Sequence, residues 1–221
     1  MNGMIKAVLF DMDGILFDSE YWYMKGTVEQ MRAFGYQGDE KEIYRIIGTT
    51  MEGTYRILYE LLEGRVSLAQ LEESNTRYFR EHPIDFKAIM FEDVPAALKR
   101  IRAMGIQTAV CSSSPYDYIE NGLKDMGIRD MFDYLISGAD LEHPKPAPDG
   151  YLLARQALGT APENCIIYED STLGIESGKR AGIFTVARRD ERFHQDQSQA
   201  DLIVQNITEL ADWIGKENSH A

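Results

Sequence analysis

The segment KAVLFDMDGILFDSE, residues 6–20, decides how the rest of the chain is interpreted. It begins with an apolar run, residues 7–10, that is typical of a buried β-strand and stops at the motif DMDG. The two carboxylates of this motif, Asp11 and Asp13, repel each other and are costly to desolvate. The segment therefore indicates either a capped turn or a site whose chemistry requires both acids.

From residue 88 onward, short apolar segments alternate with amphipathic ones. Helices that each end at a glycine are predicted over 94–105, 115–127, 146–159 and 171–182, with apolar strands between them. This alternation predicts an α/β fold in which helices cover both faces of a parallel sheet.

Residues 19–85 interrupt this alternation, because they hold four segments with helical spacing and no predicted strand. They predict an inserted α-helical cap domain over 17–87, within a core formed by 1–16 and 88–221. Both connections of the insertion lie near the end of the first strand, so we expect it over the carboxyl ends of the strands, where open α/β sheets bind ligands. The C-terminal segment GKENSHA, 215–221, is expected to fray.

The composition narrows the classes of function. The net charge of −13, from 36 acidic and 23 basic residues, argues against nonspecific nucleic-acid binding and against docking on anionic membranes. No segment is long and apolar enough to predict a membrane span, and the N-terminus does not resemble a signal peptide. We expect a cytoplasmic protein in which Cys111 and Cys165 are buried, reduced thiols.

Polar residues follow four of the predicted strands. Each group alone has a structural explanation, such as a helix cap or a solvated charge. The carboxyl ends of parallel strands lie at one edge of a sheet, however, so all four groups are expected to converge in a single crevice. The residues are Asp11 and Asp13, Ser112 to Ser114, Lys145, and Glu169 and Asp170.

A hard divalent cation would relieve the repulsion among these acids. Mg²⁺ takes oxygen ligands and commonly bridges protein carboxylates to a phosphate. Asp11 and Asp170 are predicted to supply side-chain oxygens, with Glu169 in or just outside the coordination sphere. Mg²⁺ is thus the expected cofactor.

A phosphate ester bound beside such a cation would find suitable reacting groups. Lys145 and the hydroxyls of Ser112 and Ser113 would hold its oxygens. One aspartate could then attack phosphorus and form an aspartyl-phosphate. The other could protonate the leaving oxygen and afterwards deprotonate the hydrolytic water.

These motifs resemble those of the haloacid dehalogenase-like superfamily, in the same order: DMDG, a strand ending at Ser112, Lys145 in KPAPD, and YEDS. The stretches DMDGILFDSE, HPKPAPDGY and EDSTLGIESGKRAG resemble its β-phosphoglucomutase-like branch. The similarity spans nearly the whole chain and is much less specific in the cap. It implies a Rossmann-like core with a mobile helical cap.

The resemblance also implies roles for the residues. Asp11 is the nucleophile, and Asp13 is the acid/base and lends its backbone carbonyl to Mg²⁺. An acid/base aspartate at this position argues against dehalogenation. The other implied roles are phosphate contacts for Ser112 and Lys145 and metal binding for Glu169 and Asp170.

In the cap, the resemblance is less definite. Ser19 matches a family position near the substrate, and Thr49 lies in the expected substrate-specificity loop. Tyr23 could face the substrate, although aromatic residues at such a place more often pack within the cap. These three residues are the candidate cap contacts.

The choice between hydrolase and mutase depends on two cap positions. The mutases of this branch carry a histidine and an arginine in the cap, where this sequence has Tyr23 and Met51. The absence of both favours a phosphatase, unless Arg45 or Arg56 substitutes.

The sequence therefore predicts a Mg²⁺-dependent phosphatase that acts on a small phosphorylated metabolite, such as a sugar phosphate, through an aspartyl-phosphate. A sugar-phosphate mutase is the alternative, and a non-catalytic sensor of phosphorylated ligands on the same fold is a further one. The oligomeric state is left open, with a monomer favoured.

Overall fold

The computed structural model describes residues 3–47, 49–192 and 195–220. The chain divides into two compact units, a core unit of Met1–Asp18 and Phe86–Ala221 and an inserted unit of Ser19–Asp85. The α-helices of the inserted unit are α1 (Ser19–Ala33), α2 (Glu40–Ile43), α3 (Met51–Leu61) and α4 (Leu68–Glu81). Those of the core unit are α5 (Phe86–Ile89), α6 (Val94–Ala103), α7 (Tyr116–Asp125), α8 (Asp149–Ala157), α9 (Thr172–Arg180) and α10 (Ile207–His220).

The core unit is built on one parallel sheet. Its strands are β1 (Ala7–Phe10), β2 (Gln107–Ser112), β3 (Tyr134–Ser137), β4 (Cys165–Glu169), β5 (Phe184–Arg188) and β6 (Leu202–Val204). They lie in the order β3-β2-β1-β4-β5-β6, and every neighbouring pair is parallel. This arrangement confirms the predicted α/β fold.

β1 lies inside the sheet, and all four of its residues are fully buried. One face of the sheet packs against α8, where Tyr151 and Ala154 belong to the apolar core. On the other face, the ring of Phe10 meets those of Phe132 and Tyr168 edge-on, with centroids 5.8 and 6.1 Å apart. Burial on both faces explains why β1 is a continuous apolar run rather than an alternating one.

The C-terminal helix is anchored to the N-terminal segment. Asn218 in α10 accepts a hydrogen bond from the backbone N–H of Ile5 at 2.7 Å and donates one to the Ile5 carbonyl at 3.0 Å. α10 accordingly continues to His220. The expectation that the C-terminal segment frays was therefore wrong for residues 215–220, since one side chain satisfies both backbone groups of a distant residue. Residue 221 lies outside the described residues.

The inserted unit is helical and contains no strand among its described residues. α4 begins with a capping box, in which Ser67 and Gln70 satisfy each other's backbone N–H groups. The ring of Phe79 in α4 packs against Trp22 and Tyr23 of α1, with centroids 4.8 and 4.9 Å away. These contacts join the first and last helices of the unit.

The two cysteines form no disulfide. Cys111 and Cys165 are both free and buried, which confirms the prediction of reduced thiols. None of the helices in the described residues combines the length and apolar character needed to cross a bilayer.

The burial of β1 leads to a prediction about stability. Leu9→Ala should lower the free energy of unfolding by about 2–5 kcal/mol, because it removes packed methyl groups and leaves a cavity. Leu153 in α8 is 43% exposed, so Leu153→Ala is the control. It should change the free energy of unfolding by less than about 0.5 kcal/mol. Urea denaturation measures both variants, and equal effects would contradict the central position of β1.

Candidate active site

The candidate site lies at the carboxyl ends of three neighbouring strands. Asp11 directly follows β1, Ser112 ends β2 and Glu169 ends β4. β1 pairs in parallel with both β2 and β4, and the backbone N–H of Asp11 continues this pairing by donating to the Tyr168 carbonyl at 2.9 Å. The sheet therefore brings polar residues from three distant parts of the sequence together at its carboxyl edge.

Lys145, from the segment between β3 and α8, joins two of these strand ends. Its Nζ donates to Oδ1 of Asp11 at 2.5 Å and to Oε1 of Glu169 at 2.7 Å, and the side chains are 12%, 11% and 0% exposed. Burial alone would lower the pKa of Lys145, but the two carboxylates hold it well above its usual value. The ammonium is therefore a fixed positive charge in the site.

Glu169 is surrounded by hydrogen-bond donors. Besides Lys145, the Tyr151 hydroxyl donates to Oε1 at 3.0 Å. Oε2 accepts from the backbone N–H groups of Asp170 and Ser171, at 2.8 and 2.9 Å, and from the Ser171 hydroxyl at 3.0 Å. Burial would raise the pKa of Glu169, but Lys145 and these hydrogen bonds hold it below its usual value. This carboxylate is therefore ionised.

The other two acids have less compensation for their burial. Burial raises the pKa of Asp11 to about 8, with further contributions from Glu169 and Asp13, although Lys145 opposes the shift. Burial and the charges of Glu169 and Asp11 raise the pKa of Asp170 well above its usual value, although Lys145 and Arg188 oppose the shift. The carboxylate of Asp170 has no hydrogen-bond partner among the described residues. The nearby positive charge is thus too little to offset the burial of all three acids.

The same three acids could hold a metal ion. Asp11, Glu169 and Asp170 each offer an oxygen atom within 4.8 Å of the others. Hard oxygen donors and excess negative charge suit a small divalent cation, which binds the carboxylates in their deprotonated form. The Asp13 side chain is outside this cluster, and its contact through the backbone carbonyl stays a prediction.

Asp13 lies next to hydroxyl groups. The hydroxyls of Ser112 and Ser114 donate to its Oδ2 at 3.5 and 3.4 Å. The Ser112 oxygen also accepts from the backbone N–H of Ser114 at 3.1 Å, while Ser113 is exposed in the same loop. The two aspartates of DMDG therefore have different contacts: Asp11 accepts from the Lys145 ammonium, whereas Asp13 accepts from serine hydroxyls.

Two glycines leave room for the acids. Gly14 has a φ of +73°, and a Cβ there would lie 2.1 Å from Oδ2 of Asp170. A Cβ on Gly174, in the first turn of α9, would lie 1.5 Å from Oε1 of Glu169. Any larger residue would displace these carboxylates, so the glycines are part of the site.

Sequence reasoning missed the contact of Tyr151 with Glu169. The residue is fully buried in α8, six positions after Lys145. The only signal in the sequence was a tyrosine on the buried face of a predicted helix. A buried tyrosine hydroxyl predicts a hydrogen-bond partner but does not identify it.

The candidate contacts of the inserted unit belong to its own helices and loops. Ser19 is the first residue of α1. Tyr23 stacks on Phe79, and its hydroxyl accepts from Asn75 at 3.3 Å. The Thr49 hydroxyl donates to the Ile46 carbonyl at 2.6 Å. Their roles toward a substrate stay predictions.

Comparison with known proteins gives consistent findings. A family model described as haloacid dehalogenase-like hydrolase matches residues 8–188. The chain is 32% identical to a phosphorylated carbohydrates phosphatase of Thermotoga maritima, over 81% of this chain and 82% of the relative. It is 28% identical to the validoxylamine A 7′-phosphate phosphatase of Streptomyces hygroscopicus subsp. limoneus, over 94% and 96%.

Similarity to a solved structure supports the β-phosphoglucomutase-like branch of the family. The crystal structure of a Thermotoga maritima protein assigned as a β-phosphoglucomutase superposes with a TM-score of 0.77. The two chains are 25% identical, and the match covers 96% of this chain and 99% of the other. The resemblance inferred from the motifs is therefore confirmed.

The space around Glu169 leads to a prediction. Gly174→Ala should lower the free energy of unfolding and abolish activity, because its Cβ would collide with the Glu169 carboxylate. Gly215→Ala is the matched control, since it also lies inside a helix, with its nearest atom 3.8 Å away; it should stabilise the protein by up to about 1 kcal/mol. Thermal unfolding and turnover measure both variants, and a stable, active Gly174→Ala protein would contradict the geometry.

Proposed function

The chain belongs to the haloacid dehalogenase-like hydrolase family, and from this premise we propose that it is a Mg²⁺-dependent phosphatase. Its substrate is a small phosphomonoester, a sugar phosphate or a similar metabolite, and hydrolysis proceeds through an aspartyl-phosphate. The observation that carries the proposal is the buried contact of Lys145 with Asp11 and Glu169 at the strand ends. The names of the two curated relatives support the substrate class.

Asp11 is the nucleophile in this proposal. Its Oδ1 accepts from Lys145, which leaves the second carboxylate oxygen for attack on phosphorus. The bond from phosphorus to the alcohol oxygen breaks as the bond to Asp11 forms. Lys145 holds the nucleophile in place and supplies positive charge where the phosphoryl oxygens carry negative charge.

Asp13 moves the protons. It gives a proton to the leaving alcohol oxygen and then removes one from the water that hydrolyses the aspartyl-phosphate. Its side chain lies beside the hydroxyls of Ser112 and Ser114 and outside the acidic cluster of Asp11, Glu169 and Asp170, which suits it to proton exchange rather than to side-chain metal binding. Ser112 and Ser113, with Lys145, hold the remaining phosphate oxygens.

The acidic cluster holds the metal ion. Asp11 and Asp170 offer side-chain oxygens to Mg²⁺, Asp13 offers its backbone carbonyl, and Glu169 belongs to the same group of acids. When bound, Mg²⁺ neutralises the carboxylates and the phosphoryl charge. The unpartnered carboxylate of Asp170 and the raised pKa values of Asp11 and Asp170 support this assignment.

The roles of the two aspartates can be separated by mutation. Asp11→Asn should abolish turnover of p-nitrophenyl phosphate, because the amide is not a nucleophile. Asp13→Asn should lower kcat by about 10²–10⁴-fold, the usual contribution of acid/base catalysis. Asp125→Asn, at an exposed position of α7, is the control and should leave kcat unchanged. EDTA should stop the wild-type reaction, and metal-independent turnover by Asp11→Asn would refute the proposal.

The reaction class is tested with a panel of sugar phosphates, nucleotides and polyol phosphates. We expect release of inorganic phosphate from one or more sugar phosphates. With β-glucose 1-phosphate and a bisphosphate primer, phosphate release should exceed isomerisation, because the mutase histidine and arginine are replaced by Tyr23 and Met51. Faster isomerisation would indicate a mutase. Mg²⁺ and ligand binding without turnover across the panel would indicate a sensor.

A further inference from the structure

Tyr151 occupies an unusual place for a core residue. Its ring is fully buried among the apolar residues under the sheet, yet its hydroxyl reaches the acidic cluster and donates to Oε1 of Glu169 at 3.0 Å. The hydroxyl therefore acts as a hydrogen-bond donor to a buried carboxylate.

The same ring also faces Lys145. The ammonium lies 4.9 Å from the ring centroid, within the range of a cation–π contact. Oε1 of Glu169 therefore receives hydrogen bonds from both Lys145 and Tyr151, while Lys145 also donates to Asp11. A single side chain thus contacts both partners of the buried ion pair.

Without the hydroxyl, this arrangement is less constrained. Oε1 of Glu169 would keep Lys145 as its donor and lose the second one. Oε2 would keep its three donors from Asp170 and Ser171, so the change would be confined to Oε1. Because the terminal torsion of a glutamate is soft, Oε1 would shift toward Lys145 and draw the ammonium away from Asp11. Both changes alter the positions of oxygen atoms in the acidic cluster.

We infer that Tyr151 is a positioning residue, whose hydroxyl fixes Glu169 and Lys145 and thereby sets the affinity of the acidic cluster for its divalent cation. The inference rests on the proposed function only in assigning that cation to the cluster. Neighbours that orient metal ligands typically change metal affinity by 10–100-fold when they are removed. The role of Tyr151 is therefore measurable without a substrate.

The chain offers a matched control. Tyr168 in β4 is also fully buried, but its hydroxyl has no hydrogen-bond partner among the described residues. Tyr168→Phe and Tyr151→Phe each remove one buried hydroxyl and retain the ring. The first removes no hydrogen bond, whereas the second removes the one to Glu169.

The test measures the Kd for Mg²⁺ of the metal-stripped wild type and both variants by isothermal titration calorimetry, with circular dichroism to confirm folding. Tyr151→Phe should weaken Mg²⁺ binding by about tenfold, and Tyr168→Phe should leave it unchanged. In turnover assays, excess Mg²⁺ should restore most of the activity that Tyr151→Phe loses.

Three results would overturn the inference: an unchanged Kd in Tyr151→Phe, equal weakening in both variants, or failure of Tyr151→Phe to fold while Tyr168→Phe folds. The last would show that the hydroxyl serves stability. A wild-type protein without phosphatase activity would refute the proposed function but would leave the comparison of Mg²⁺ affinities intact, so the two failures are distinguishable.

Discussion

The burial of Glu169 is the constraint on which the rest of the site depends. A carboxylate removed from water is strongly destabilising unless an opposite charge and hydrogen bonds replace the lost solvation. Lys145 supplies the charge here, and it comes from the segment after β3, a strand separated from β4 by β2 and β1. The connection from β3 to α8 must therefore cross the carboxyl ends of these strands. The path of the β3–α8 connection thus determines whether the charge of Glu169 is neutralised.

Because Lys145 pairs with Glu169, the neighbouring acids keep an excess of negative charge. Asp11 shares the same ammonium, and the Asp170 carboxylate forms no ion pair among the described residues. Burial consequently raises the pKa of Asp170. This excess of negative charge makes the cluster suited to a cation, and it distinguishes the site from an ordinary buried ion pair, in which the charges cancel. The donors around Glu169 fix one acid so that the other two remain available.

Much of the fold and most of the core site could be predicted from the sequence, because their signals are local. Buried parallel strands are continuous apolar runs, and the residues directly after them, such as Asp11 and Asp170, lie at one edge of the sheet. The contacts that were missed join distant residues. Tyr151 meets Glu169 from another element, and Asn218 meets Ile5 across 213 positions. Neither partner can be identified from the pattern around either residue.

The composition of the core site also bears on specificity. Its residues are carboxylates, one ammonium and hydroxyls, and the proposed function assigns each of them to the phosphoryl group, the metal or a proton. Every phosphomonoester presents the same phosphate to these groups, so they cannot distinguish one alcohol from another. Relatives named for different phosphate esters are consistent with this view. In the proposed function, substrate choice must therefore depend on residues other than these strand-end groups, which act only on the phosphate.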